Sequence, residues 1–419
     1  MKDVYTVAII GVGCRGGDTY GRIMNEFNGR YKIVALCDLS TERLERFSKE
    51  FGVEKENLFT DENEFFKVRR ADVLVIGTQD KDHYRHAFKA FKLKYDVLME
   101  KPITDKKREC IKLLKAQKKS GSKTTVGHVL RYSPSFMKVK ELLDSGKIGR
   151  LVAINALERV IYWHQAHSFV RGHWRNSNTS SAMILAKCCH DLDLLQHYAK
   201  SKCKTISSIG ELTHFKKENA PEGATERCLD CPHCSTCPYS AKKFYIDDYI
   251  RDGMPKMVFF NALVNPPHTI ERLENALRTG PYGRCVYFCD NNVVDHQLVN
   301  MEFENGVKAS LTMTGFTADG CRRYNFFGTH GEILLDGQTG YVELKLFTGE
   351  VEKYDIRVLD ENGYGHAGGD FGLITQLTKS LDGDKDMATT LTASIESHLM
   401  GILAEKSRIK GGKRLKIHK

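Results

Sequence analysis

An α/β fold is predicted, with a doubly wound parallel sheet at the N-terminus and a C-terminal α+β domain built on a large open antiparallel sheet. Three observations carry this. From residue 4 to about 127, short β-rich apolar runs alternate with amphipathic helical stretches, the signature of stacked βα units. A glycine turn, Gly11-Val12-Gly13-Cys14-Arg15-Gly16, closes the first run. Past about residue 130 the strand-like runs lengthen and the connections become wide and polar.

In chain order, the first region predicts strands at 4–10, 32–37, 73–77, 96–99 and 124–126. Between them, 41–51, 81–91 and 105–120 place apolar residues at helical spacing. The second region predicts strands at 151–160, 205–212, 297–303, 307–314, 324–328, 332–335 and 341–347. Asn305-Gly306 marks a tight hairpin, because that pair supplies positive φ angles. Helices are expected over 186–197 and 391–408.

The length of 419 residues and 41% hydrophobic content suit two domains, each with its own core. The expected division is 1–128 and 129–419, with a cysteine-rich insertion around 215–284. The formal charge of +10 comes from 63 basic residues interspersed with 53 acidic ones. That describes a solvated basic surface, not a nucleic-acid footprint. No apolar run reaches the roughly 18 residues of a membrane span. The first apolar run is strand-sized and lacks a cleavage site, so a cytoplasmic protein is expected.

Each part of the glycine turn has a physical duty. Gly11 makes the turn, Gly13 lets backbone amides approach a pyrophosphate, and Gly16 allows close helix packing. With Cys14 and Arg15 these residues form the expected dinucleotide site of a Rossmann domain, the phosphates facing a helix N-terminus. Asp38 ends the second strand 22 residues after Gly16. Its carboxylate suits the ribose hydroxyls of NAD and repels the 2′-phosphate of NADP, so NAD is the expected cofactor. Thr78, Gln79 and His83 follow the 73–77 strand and are further cofactor candidates; Thr78 and Asp80 also read as helix caps. Glu100-Lys101-Pro102 stands at the carboxyl end of the 96–99 strand, the edge where open parallel sheets bind ligands. Glu100 and Lys101 are therefore assigned to the cofactor site.

These features, with Gly127-His128, Arg131-Tyr132 and Lys187-Cys188-Cys189-His190-Asp191-Leu192-Asp193, resemble the Gfo/Idh/MocA oxidoreductases from end to end. The resemblance implies that Lys101 contacts the reacting hydroxyl and the nicotinamide region, and that His190 serves in proton transfer. It also implies a carbohydrate or cyclic polyol substrate and a homodimer or homotetramer. One departure stands out. Many dehydrogenases of the family carry an aspartate four residues before the histidine, where this chain has Ala186. Two alternatives stay open: transient NAD-dependent oxidation followed by glycoside cleavage, and a non-catalytic NAD-binding sensor.

Substrate contacts are expected from His128, Lys187 and Asp191, and from the aromatic stretch 162–175, which holds both tryptophans. Flat apolar rings beside polar groups suit a sugar, and Trp163, His164, His167, Arg171 and Trp174 are the candidates there. Cys228, Cys231, Cys234 and Cys237 pack four thiols into ten residues. That spacing suits a closed structural zinc site; an iron–sulfur cluster and unliganded cysteines are the alternatives.

Overall fold

The computed structural model describes residues 2–252, 257–359, 365–384 and 389–418. Residues 253–256 of the expected insertion therefore lie outside the described residues. The first sheet contains β1 (Tyr5–Ile10), β2 (Tyr31–Cys37), β3 (Leu58–Phe59), β4 (Val73–Ile76), β5 (Asp96–Met99) and β6 (Thr124–Val126). Their order is β3-β2-β1-β4-β5-β6, every pair parallel. β4 is buried along its whole length, as expected when helices cover both faces of a parallel sheet. The helix Thr41–Phe51 starts where the Ser40 hydroxyl accepts from the Arg43 amide, buries Leu44, Phe47 and Phe51, and stops at left-handed Gly52.

The second sheet has nine strands: β7 (Leu151–Ile161), β8 (Cys203–Glu211), β9 (His296–Phe303), β10 (Lys308–Thr317), β11 (Cys321–Gly328), β12 (Gly331–Asp336), β13 (Tyr341–Leu346), β14 (Val351–Asp355) and β15 (Leu415–Lys416). It is mixed, not purely antiparallel, because β7 and β10 run parallel at its centre. Parallel neighbours need a long crossover, and the chain between 161 and 308 provides it. The β9–β10 hairpin also differs from expectation. Gly306 alone takes a positive φ, of 91°, and the Phe303 carbonyl accepts from the Gly306 amide at 3.0 Å. The turn is therefore a longer one closed by a left-handed glycine.

The helix expected over 186–197 is split into Met183–Ala186 and Cys189–Ala199. At the break the Ala186 carbonyl accepts from Lys101 Nζ at 3.0 Å.

The end of the chain returns to its beginning. The helix Gly369–Leu381 inserts Leu373, Ile374, Leu377 and Leu381 into the cluster that contains Tyr5, Val7, Ile9 and Tyr31. Tyr31 Oη and Thr378 Oγ1 share a hydrogen bond of 2.7 Å, and Arg30 pairs with Asp382 at 2.7 Å. Thr390, which caps the helix Leu391–Ile409, forms a bridge to Thr125 of β6. The second sheet leaves Val152, Ile209 and Leu298 exposed. Among the described residues no helix is long and apolar enough to cross a membrane.

Candidate active site

The cleft is built from the carboxyl edge of the parallel sheet. Gly11 leaves β1 with φ of 83°, and a Cβ there would stand 2.6 Å from the Thr78 amide nitrogen. A Cβ on Gly16 would stand 2.0 Å from the Gly11 carbonyl oxygen. Packing excludes any side chain at both positions. Gly13 is different, since the nearest protein atom to a Cβ there is the Arg43 guanidinium at 3.7 Å. No crowding within the protein explains that glycine, and the open space beside it fits a pyrophosphate approaching the backbone. Asp38 stands at the end of β2, where its carboxylate accepts from the Val12 and Ser40 amides at 2.9 Å each.

Arg15, Glu100 and the far C-terminal region form one buried network. Arg15 donates to Glu100 at 2.6 Å and to Asp370 at 2.7 Å, and Tyr20 donates to Glu100 at 2.6 Å. The Arg15 and Lys101 charges and the Tyr20 hydroxyl outweigh burial and hold the Glu100 carboxyl down at about 2. Arg15 and Glu100 thus brace the glycine turn. His83 is likewise occupied: its ring nitrogens lie 2.6 Å from the Pro102 carbonyl and 2.9 Å from that of Thr78. Thr78 Oγ1 meets His86 Nδ1 at 3.0 Å. Gln79 is the residue before the helix Asp80–Lys92 and makes no side-chain cap. Cys14 opens the helical stretch after the turn, and burial lifts its thiol to about 11.

Lys101 crosses from the first domain to the second, where the Ala186 carbonyl accepts from its ammonium. His190, 5% exposed, lies in the helix Cys189–Ala199, with its ring centre 5.9 Å from that of His128 and 6.0 Å from that of His366. Burial pushes the His190 imidazole well below its ordinary range, and the charge of Lys101 adds to the shift. The ring is therefore neutral and able to accept a proton. Burial also holds His128 down to about 4. Arg131 grips Asp193 with bonds of 2.6 and 2.7 Å, pinning the turn that carries His128 to the helix that carries His190.

A cavity of about 330 Å³ has Glu158, Trp163, His164, Lys187 and Arg322 in its walls, while Lys101 and His190 are not among its lining residues. Lys187 and Arg322 pair with Glu158 at 3.3 and 2.8 Å. Asp191, behind them, accepts from Arg322 at 2.8 Å and from Tyr324 at 2.6 Å. Burial lifts the Glu158 carboxyl above the ordinary carboxylate range, with Arg322 and Lys187 opposing the shift.

Of the aromatic candidates, the structure brings Trp163 and His164 to this cavity and takes the others elsewhere. Trp174 Nε1 donates to Asp80 at 3.0 Å, joining the two domains. His167 is buried, stacked on Tyr282 with ring centres 4.7 Å apart. Arg171 lines a separate small cavity with the cysteines. Among the described residues no group of three or more His, Cys, Asp or Glu side chains is arranged to hold a metal ion as it stands, and all 13 cysteines are free.

Sequence reasoning missed Glu158, Arg322 and His366. Glu158 lies within β7 and Arg322 at the start of β11, with no motif around either. His366 had a legible signal, since Gly365-His366-Ala367-Gly368-Gly369-Asp370 is a glycine-rich run opening a helix. His366 Nδ1 lies 3.1 Å from Asp370, so this residue joins the His190 cluster to the Arg15 network.

Two family models match the chain: the NAD-binding Rossmann fold of the Gfo/Idh/MocA oxidoreductases over residues 5–128, and the C-terminal alpha/beta domain of the same family over 140–417. The Bacillus subtilis protein YteT, which carries an oxidoreductase name, is 26% identical over 55% of this chain and 57% of its own length. Inositol 2-dehydrogenase of Salmonella typhimurium is 25% identical over 35% of this chain and 44% of its own. The chain thus spans about half the length of these curated relatives. A levoglucosan dehydrogenase solved with NADH and levoglucosan shares the fold, with a TM-score of 0.71, 13% identity and 99% of both chains covered. So does an NAD binding oxidoreductase from Klebsiella pneumoniae, with a TM-score of 0.72, 15% identity and 100% of both chains covered.

Proposed function

The chain belongs to the Gfo/Idh/MocA oxidoreductase family, and from that premise we propose that it is an NAD-dependent dehydrogenase acting on a hydroxyl carbon of a sugar or cyclic polyol. One observation carries the reading. Lys101, from the glycine-turn domain, reaches the break just before His190, whose imidazole is held neutral. A cation-bearing side chain thus acts on a neutral base, and it also acts on His164, a wall residue of a cavity with room for a sugar-sized molecule.

Bound NAD supplies the hydride acceptor. His190 takes the proton leaving the substrate hydroxyl. Lys101 steadies the oxygen as negative charge develops on it. Trp163 offers a flat apolar wall, while Lys187, Arg322 and Glu158 present polar groups. Asp38, at the ribose end of the cradle, favours NAD over NADP. The inositol and levoglucosan dehydrogenases among the relatives and structural neighbours support the substrate class. The exposed apolar residues on the second sheet, Val152, Ile209 and Leu298, support self-association into a dimer or tetramer.

The test is a screen of sugars, inositols and glycosides that follows reduced cofactor and product together. Lys101→Ala is expected to lower kcat by roughly 100-fold or more while NAD binding persists. Unchanged turnover would refute the assignment. Substrate consumed without net NADH would point to the glycoside-cleaving reaction instead.

A further inference from the structure

The cysteine run does not close on itself in the fold. Arg227, just before Cys228, pairs with Arg284, just before Cys285. The Cys285 amide donates to the Glu226 carbonyl at 2.9 Å, and Cys228 Sγ lies 3.6 Å from the Arg284 carbonyl. A cysteine 48 positions beyond Cys237 is thereby brought into the pocket. Cys228, Cys231, Cys237 and Cys285 all line one small cavity. Cys234 lines the same cavity, but its Sγ meets Ser240 Oγ at 3.4 Å.

A second observation comes from Arg171. The residue is 3% exposed, and its guanidinium bonds to the Arg284 carbonyl at 2.6 Å, the Tyr239 carbonyl at 2.7 Å and Cys228 Sγ at 3.3 Å. Among the described residues no carboxylate pairs with it. A buried cation costs several kcal/mol unless a negative group answers it, and among the described residues the sulfur of Cys228 is a group in contact with it that can take a negative charge. The cavity that Arg171 shares with them measures about 20 Å³, room for one ion and too small for a four-iron cluster.

We propose that Cys228, Cys231, Cys237 and Cys285 hold one structural zinc ion, with Arg171 hydrogen-bonded to the Cys228 thiolate and Cys234 outside the ligand set. Each thiol releases its proton to solvent as the sulfurs close around the ion. Four thiolates give zinc a net charge of −2 and leave no open position, so the site is catalytically silent. The guanidinium offsets part of that charge. The ion fastens the insertion to Arg171, at the end of the helical stretch Gln165–Arg171 that follows Trp163 and His164 in the cavity wall. This proposal stands independently of the redox chemistry above.

The test is elemental analysis of the reduced full-length protein after zinc addition and removal of excess metal, repeated on Cys234→Ser and Cys285→Ser. About one zinc per chain is expected in the wild type and in Cys234→Ser, with at least a tenfold loss in Cys285→Ser. Because Cys285→Ser can fail to fold, cobalt replaces zinc in the other two proteins, and both are expected to give the same sulfur-to-metal charge-transfer spectrum. No bound metal in the wild type would overturn the proposal. So would iron with visible colour, loss of metal from Cys234→Ser, or retention of metal by Cys285→Ser.

Discussion

Lys101 is held by the backbone carbonyl of Ala186. A carbonyl accepts a hydrogen bond but brings no full negative charge, so it does not offset the cations that act on His190. Those cations and burial depress His190 together. Its base form therefore persists below the ordinary histidine value of about 6.5. In the proposed reaction oxidation requires that form, so kcat/KM is expected to stay level as pH falls from 8 through about 6.5 and to drop only at lower pH. A pH–rate profile checks this, and an acid limb centred above pH 7 would refute it. The Arg131–Asp193 pair is structural at the same scale, buried on both sides. Asp193→Ala strands a guanidinium and should cost about 3–5 kcal/mol in denaturant unfolding. A loss under 1 kcal/mol would show that the pair is dispensable.

Among the elements, the glycine turn was legible because strict geometry leaves a sequence trace. Gly16 touches the Gly11 carbonyl so closely that Gly16→Ala must displace the helix or the turn. NAD affinity is expected to fall by roughly 100-fold or more, since the phosphate cradle depends on that packing; calorimetric titration measures it, and wild-type affinity would refute the packing argument. The alternating pattern also gave most strands of both sheets to within a few residues. It missed β3 and β15, each only two residues long, and β14, a sheet-edge strand with no fully buried residue. Neither length nor burial gave those strands a periodic signal. The aromatic stretch shows the reverse limit. Composition marked it as ligand-like, yet Trp163 and His164 reach the cavity while His167, Arg171 and Trp174 serve packing and bonding elsewhere. Spacing alone does not say which way a turn faces.

Across the whole molecule, the nucleotide-binding core is completed by residues more than 350 positions later in the chain. Ile374 and Leu377 are fully or almost fully buried in the cluster under β1. Replacing both with Ala should cost about 2–5 kcal/mol each. Hydrogen exchange is expected to accelerate in β1 and β2 while β12 and β13 keep their protection, because the lost packing lies in the first domain. Uniform loss across both sheets would refute that partition.

Local periodicity, the glycine spacing and Asp38 determined from sequence alone that the chain opens with a dinucleotide-binding sheet and continues into a second, strand-rich domain. They could do so because backbone geometry and one-sided burial act over a few residues. The tertiary structure decided which distant groups meet: Lys101 with Ala186, His366 with His190, Glu158 with Lys187 and Arg322, and Cys285 with the cysteine run. Those meetings join residues separated by tens to hundreds of positions, and they depend on how the two sheets pack, which no local pattern encodes.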